Sequence, residues 1–297
     1  MVIPYINAKR VSVVMAGMSN ASGVLYVVAT PIGNLSDISR RAVEILGEVD
    51  LVAAEDTRHT KKLLDALNIH APAMLSLHEH NERERLDHML ALLEEGRRIA
   101  LVSDAGTPLI SDPGFPLVAR CREQGVKVVP VPGPSAVITA LSVSGLPTDR
   151  FLFEGFLPRT ASKRQARLAL LKDFSSTMVF YESSHRILQT LTDMQHLFGE
   201  DRQAVMAREL TKAFETVIPG TLARLVAIVT ADPNQQRGEF VVMVAGAEAR
   251  PEMLGAEERR VLDAFADELS PNRLAKVAAK LYDGNKRDYY QYLLGRK

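Results

Sequence analysis

Tryptophan is absent from the 297 residues, cysteine occurs once, aromatic residues make up only 6%, and the formal charge sums to zero. Each shortage closes a class of explanation. A single Cys121 excludes a disulfide framework and fits a reducing compartment; in the helix-like run Pro116 to Gln124 it reads as filler rather than as a nucleophile. Zero net charge leaves nothing global to draw the chain onto nucleic acid or a membrane, so any basic surface has to be local. No apolar run approaches the length needed to span a bilayer. Lys9-Arg10 precedes a mildly apolar Val11 to Met18, but Ser12 and Gly17 interrupt it and no convincing cleavage site follows. Residues 1–22 therefore read as a disordered leader or a misassigned start, and the protein as cytoplasmic.

Common cofactor signatures are missing as well. Gly33 stands alone, with no G-x-G-x-x-G after a strand, and there is no Walker loop. His78 and His80 around Glu79 lack a third and fourth ligand at sensible spacing, so no metal site is expected.

What is present is an alternation of apolar runs and amphipathic stretches. Val24 to Ala29 reads as a strand ending in the turn Thr30-Pro31-Ile32-Gly33-Asn34-Leu35, after which Ser36 caps a helix with Ile38, Ala42, Ile45 and Leu46 on one face. Strands follow at Val49 to Ala54, Ala73 to Ser76, Ile99 to Val102 and Val126 to Val131, with helices near 57–67, 82–95 and 116–124 between them. Alternation on this scale predicts βα units and a mostly parallel sheet. After Pro132-Gly133-Pro134-Ser135, a small apolar helix from Ala136 to Val143 must pack closely against something. Ser144 to Thr148 reads as a linker. A second α/β region has strands at Phe151 to Phe156, Thr177 to Tyr181, Ala204 to Glu209, Glu215 to Pro219 and Gly238 to Ala245. From about Glu257 onward the periodicity is helical only. The expected domains are 23–145 and 149–248, with a helical extension over 255–297.

The stretch Ser103 to Gly114 concentrates small, polar and turn-forming residues directly after a strand. Ligands in open α/β sheets sit outside the carboxyl ends of strands, so this stretch is either a ligand turn or an ordinary surface loop. Ser135 stands where free backbone N–H groups could bind an anion, or could serve as a plain helix cap.

Five motifs carry a resemblance to a known family. They are Tyr26 to Leu35, Glu55-Asp56-Thr57-Arg58, Val102-Ser103-Asp104-Ala105-Gly106-Thr107-Pro108, Pro132-Gly133-Pro134-Ser135-Ala136 and Tyr181-Glu182-Ser183-Ser184-His185-Arg186. In this order they resemble the ribosomal RNA small subunit methyltransferase I family, within the tetrapyrrole methylase-like superfamily. The resemblance covers about Gly23 to Gly246 and continues more loosely to the carboxyl end.

It implies two α/β domains of the class III methyltransferase type with a small helical C-terminal appendage, S-adenosyl-L-methionine in the cleft between them, and a homodimer. The implied reaction is 2′-O-methylation of a decoding-region cytidine in 16S rRNA, in the assembled small subunit. Carried onto this chain, the cofactor positions are Pro31, Gly33, Ser103, Asp104, Ala105, Gly106, Thr107, Ser135, Ala136, Tyr181 and about Leu210. A tetrapyrrole or protein side-chain methyltransferase of the same fold, and a non-catalytic RNA-binding or assembly protein, are the competing readings.

A ribose hydroxyl is weakly acidic, so help with its proton is expected. Glu55 and Glu182 are the foremost carboxylates, beside Asp56 and Glu209; Arg58 and Arg186 would orient ribose or phosphate, as could His185 and Arg208. Salt bridging between domains or subunits is the alternative for each. For RNA, Arg159, Lys163, Arg164 and Arg167 fall in a segment without acids, and Lys212 is added to them. The tail from Ser270 interleaves basic residues with Tyr282, Tyr289, Tyr290 and Tyr292. That pattern suits either RNA stacking or helical packing.

Overall fold

Near-continuous apolar runs are what a sheet covered on both faces requires, and the first half of the chain supplies five. In the computed structural model, which describes residues 23–70, 72–78, 81–248 and 254–295, they are β1 (Val24–Val28), β2 (Leu51–Ala54), β3 (Ala73–Ser76), β4 (Arg98–Val102) and β5 (Lys127–Val131). All pair in parallel, in the order β3-β2-β4-β1-β5. The leader expected over 1–22, and Glu79 and His80, lie outside the described residues.

Helices α1 (Arg40–Leu46), α2 (Thr57–Ala66), α3 (Glu82–Glu94) and α4 (Phe115–Glu123) make the crossovers. Side chains alternate along the strands between two cores: Leu25, Ile99 and Leu101 enter one, Val28, Ala100 and Val102 the other. The cap of α1 is Ser39, whose Oγ accepts from the Ala42 N–H at 3.1 Å. Ser36, expected to cap it, instead sits in a 3₁₀ turn over Leu35–Asp37, because Asn34 Oδ1 accepts its N–H at 3.0 Å and closes a turn first.

The second half forms β6 (Phe151–Phe156), β7 (Thr177–Ser183), β8 (Gln203–Arg208), β9 (Thr216–Thr221) and β10 (Glu239–Val244). Their order is β6-β7-β10-β8-β9, with β6 and β7 parallel and the remaining pairs antiparallel. One face, with Met178, Phe180, Phe240 and Val242, buries against α6 (Ala161–Leu171), α7 (Ile187–Phe198) and α8 (Leu222–Ala231). The other face presents Val179, Val205, Val241 and Met243, and its cover comes from the first half. Helix α5 (Ala136–Ser144) lays Val137, Ala140 and Leu141 on it. This is the surface that the small apolar helix required, and alanine at 140 lets helix and sheet approach closely.

Both sheets belong to one compact unit, made of the residues up to 172 with 176–245. The second unit, 173–175 and 246–297, holds α9 (Ala256–Phe265), α10 (Pro271–Leu281) and α11 (Lys286–Leu294) around Leu254, Leu262, Leu274, Tyr289 and Leu293. Among the described residues no helix is long and apolar enough to cross a membrane.

Candidate functional site

Between β4 and β1 the sheet changes direction: the chain leaves β1 toward β2 on one side and leaves β4 toward β5 on the other. Such a switch point opens a crevice at the strand ends, and here a cavity of about 470 Å³ occupies it. Its size is in the range of sites for small organic ligands.

Three turns are joined at its floor. Thr30 and Gly106 exchange backbone hydrogen bonds of 2.9 and 3.1 Å, and Thr30 Oγ1 donates to the Ser103 carbonyl at 3.2 Å. Thr107 Oγ1 donates to the Pro134 carbonyl at 3.1 Å, tying the turn after β4 to the Pro-Gly-Pro turn before α5. A Cβ on Gly133 would stand 3.0 Å from the Ala29 Cβ, so glycine lets that turn close onto the end of β1 without a shift of a few tenths of an ångström. Gly106 is required by conformation, at φ 82°. Non-glycine residues also adopt left-handed backbone here: Leu109 (φ 74°) and Ser111 (φ 69°) in the turn after β4, Glu209 (φ 51°) and Thr211 (φ 67°) beside the opposite wall. Backbone held this way costs energy and tends to collect at functional sites.

The walls come from both halves. Ile32, Glu55 and the segments 104–107 and 110–112 form one side, the start of α5 contributes Ser135 and Ala136, and β7, β10 and the 210–212 turn form the other. Tyr181 packs edge-on against Phe153 and Phe156, with ring centroids 5.0 and 5.5 Å away. Burial pushes its hydroxyl up to about 12, the Asp112 charge adds to that, and the Val137 N–H at the start of α5 opposes it.

Electrostatically the site is divided. Burial raises Asp112 to about 6; a Ser103 hydrogen bond pulls it down, and the charges of Glu55 and Asp104 push it up. Asp104 Oδ1 accepts the Asp56 N–H at 3.0 Å, which anchors the acidic wall to the start of α2. Opposite, Lys212 Nζ donates at 2.8 Å to both Glu209 and Glu239. Burial alone would lower that ammonium, but the two carboxylates outweigh it and hold it above the ordinary lysine value. The Lys212 stem covers Gly33, where a Cβ would lie 2.4 Å from its Cγ.

A family model described as tetrapyrrole (corrin/porphyrin) methylases matches residues 24–226, which hold the first sheet and every strand of the second except β10. The chain is 51% identical over 279 residues to the ribosomal RNA small subunit methyltransferase I of Pseudomonas aeruginosa, covering 93% of this chain and 99% of that protein. The chain belongs to the ribosomal RNA small subunit methyltransferase I family. Its counterpart from Escherichia coli O157:H7 is 49% identical over 275 residues, covering 93% and 96% of the two chains. Among solved structures, the methyltransferase CobJ superposes with a TM-score of 0.56 at 20% identity, over 79% of this chain and 98% of its own, a likeness of fold.

Within this methyltransferase, several residues singled out from the sequence are brought together. Glu55, Asp104, Ala105, Gly106, Thr107, Ser135, Ala136, Tyr181, Leu210 and Lys212 line the cavity, with Ser103 buried beneath the turn. Pro31 and Gly33 flank the lining Ile32. Glu182 also reaches the lining, yet its carboxylate is committed elsewhere. Successive strand residues face opposite ways, so it points toward α7, where it accepts from Thr190 Oγ1 at 2.6 Å and pairs with Arg186 at 2.7 Å. Arg186 also donates to the Leu157 carbonyl at 3.0 Å. Arg58 is 88% exposed and grips Asp56, the cap of α2, at 2.9 Å.

The basic segment does not survive as a unit. Arg164, expected to contact RNA, is 3% exposed and donates to Asp193 at 2.7 Å; Arg167 forks onto Glu154. Acids outside the segment, Glu154 just before it and Asp193 well after it, neutralise what looked locally unopposed. Arg159 and Lys163 remain exposed. In the tail, Tyr289 is 1% exposed and donates to Glu258 at 2.6 Å, so its ring is not presented for stacking, while the half-buried Tyr292 donates to Asp263 at 3.0 Å. Asp112 was missed as a site residue although it lies in the turn that drew attention. Two acids close in sequence to Ser103 carry no sign of which will be desolvated.

Proposed function

We propose that this chain transfers a methyl group from S-adenosyl-L-methionine to the ribose 2′-hydroxyl of a cytidine in the decoding region of 16S rRNA. The observation that carries the reading is the cavity at the β1/β4 switch point, whose donor set suits a zwitterionic, cationic cofactor. Asp104 and Glu55 would face the positive groups, the opening turn of α5 at Ser135 and Ala136 the carboxylate, and Ile32 and Leu210 the adenine. Thr211 Oγ1, buried without a hydrogen-bond partner beside Gly33, offers a further polar contact. The bound cofactor supplies an electrophilic methyl on a good leaving group.

What the protein adds is mainly position. The three joined turns fix the cofactor side, Tyr181 with its aromatic neighbours closes the opposite wall, and the Glu182–Arg186 pair holds the end of β7 that carries Tyr181. Glu55 stands on the cleft wall; Arg58, exposed and three residues further along the chain, can exchange Asp56 for an RNA phosphate. Arg159 and Lys163 add exposed charge for RNA. The substrate is proposed to be the assembled small subunit, met in the cytoplasm by a homodimer. Exposure of Phe115, Ile138 and Val143, at 72%, 56% and 54%, supports a covering copy.

The test is calorimetric binding of the cofactor, followed by transfer of labelled methyl to small subunits, protein-free 16S rRNA and a tetrapyrrole acceptor in parallel. Cofactor binding with label only in ribosomal RNA is expected. Label in the tetrapyrrole would favour the competing enzyme reading; no cofactor binding would favour a non-catalytic protein.

A further inference from the structure

Resting on that reading, we propose that Asp112 is the general base that takes the proton from the attacking ribose hydroxyl.

Asp112 lines the cavity, and the other carboxylates in and beside it have partners of their own. Glu182 is tied to Arg186 and Thr190; Glu209 and Glu239 share Lys212; Asp104 accepts the Asp56 N–H. Glu55 lines the cavity and acts on Asp112 as a like charge. Asp112 has no cation among the charges that act on it, unlike Glu182, Glu209 and Glu239, and it is the one on which both Glu55 and Asp104 act as like charges. Facing it are the Ser103 hydroxyl below, Glu55 from the end of β2, Asp104 from its own turn, and the Tyr181 hydroxyl from β7. The Ser103 Oγ is also within 3.3 Å of the Ala105 carbonyl, and of the two acceptors a carboxylate is the stronger.

Such surroundings make a base. A carboxylate paired with arginine or lysine is a poor proton acceptor because the cation already satisfies it. One that is part-buried among like charges holds a proton well above pH 4, and burial with the Glu55 and Asp104 charges brings Asp112 to about 6. Acid-base catalysis is most effective when the group titrates near the working pH, and at pH 7 Asp112 is mostly ionised and ready to accept. Its position is held by the backbone: Ser111, immediately before it, and Leu109 are both in the left-handed region. Strained backbone next to a desolvated carboxylate is an arrangement that stability alone does not favour.

In the step itself the ribose O–H bond breaks and its proton passes to the Asp112 carboxylate. The oxygen pair so released forms the new O–C bond, the C–S pair stays on sulfur as a neutral thioether, and Asp112 then gives its proton to water.

The experiment compares wild type, Asp112→Asn and Ser103→Ala as full chains, by calorimetric cofactor binding and by single-turnover methylation of small subunits across pH 5 to 9. Asp112→Asn should bind the cofactor as wild type does and lose about 100-fold or more in rate, the usual worth of a positioned base. The wild-type rate should fall below about pH 6, and this limb should vanish in Asp112→Asn. Ser103→Ala removes the hydrogen bond that favours the ionised form, so its limb should move to higher pH. The inference is overturned if cofactor affinity falls in step with rate, which would make Asp112 a counter-ion for the bound cation, or if the acid limb persists in Asp112→Asn or stays fixed in Ser103→Ala. A wild type that methylates no ribosomal RNA would sink the functional reading together with this one; an active wild type matched by Asp112→Asn sinks this one alone.

Discussion

Burial, with the charges of Glu55 and Asp104, holds the folded Asp112 near 6, against 3.8 for an ordinary aspartate. A raised carboxylate binds its proton more tightly in the folded chain than in the unfolded one, so folding is favoured below about pH 4 and loses ground as pH rises through 6. Above that the penalty is constant. Asp112→Asn should therefore melt higher than wild type at pH 8 and match it at pH 4, as thermal scans at the two pH values would show. Equal melting at pH 8 would mean that Asp112 is better solvated than its surroundings indicate. Glu182 is held by structural partners. Its carboxylate, fully covered, balances Arg186 and Thr190, and Glu182→Ala leaves a mostly buried arginine unpaired. That should cost about 3 kcal/mol, or roughly 10 °C in Tm, with the rate per folded molecule falling far less than in Asp112→Asn. At this scale the sequence is readable where residue type and turn chemistry coincide, as at Gly106 and Thr107. It is silent where tertiary partners decide, as for Arg164 with Asp193 and Arg167 with Glu154, since neither acid lies in the basic segment.

Among the elements, α10 changes most from its sequence reading. The tail's tyrosines serve the core of their own unit, while Arg273, Lys276 and Lys280 are exposed and lie outside any ion pair seen among the described residues. At 100° per residue the three span about 60° of the helix surface. A stripe of this kind suits phosphates rather than bases. Reversing all three to glutamate should weaken binding to small subunits and reduce the slope of log affinity against log salt by about 2, leaving cofactor affinity unchanged. An unaltered slope would remove α10 from RNA contact. Helix α5 shows the converse. Its all-round apolar composition announced close packing, but the partner, a sheet that begins only after it in sequence, could not be read locally.

At the scale of the whole molecule, alternating strands and helices were legible because parallel pairing demands covered crossovers, and the helical tail because its periodicity changes. The single unit formed by both sheets was not legible, since it depends on α5 crossing to the second sheet and on the turns that join at the switch point. That joining gives the cavity walls of different character, one acidic and one that combines Tyr181 and apolar strand residues with the Lys212–Glu239 pair, and the proposed methylation follows from it. The most direct test is to supply labelled cofactor and unmethylated small subunits, then hydrolyse the rRNA with alkali. A 2′-O-methyl group blocks attack on the adjoining phosphodiester, so the account predicts that the label is recovered in one alkali-stable dinucleotide beginning with cytidine. Label released in mononucleotides, which places the methyl on a base, would contradict it.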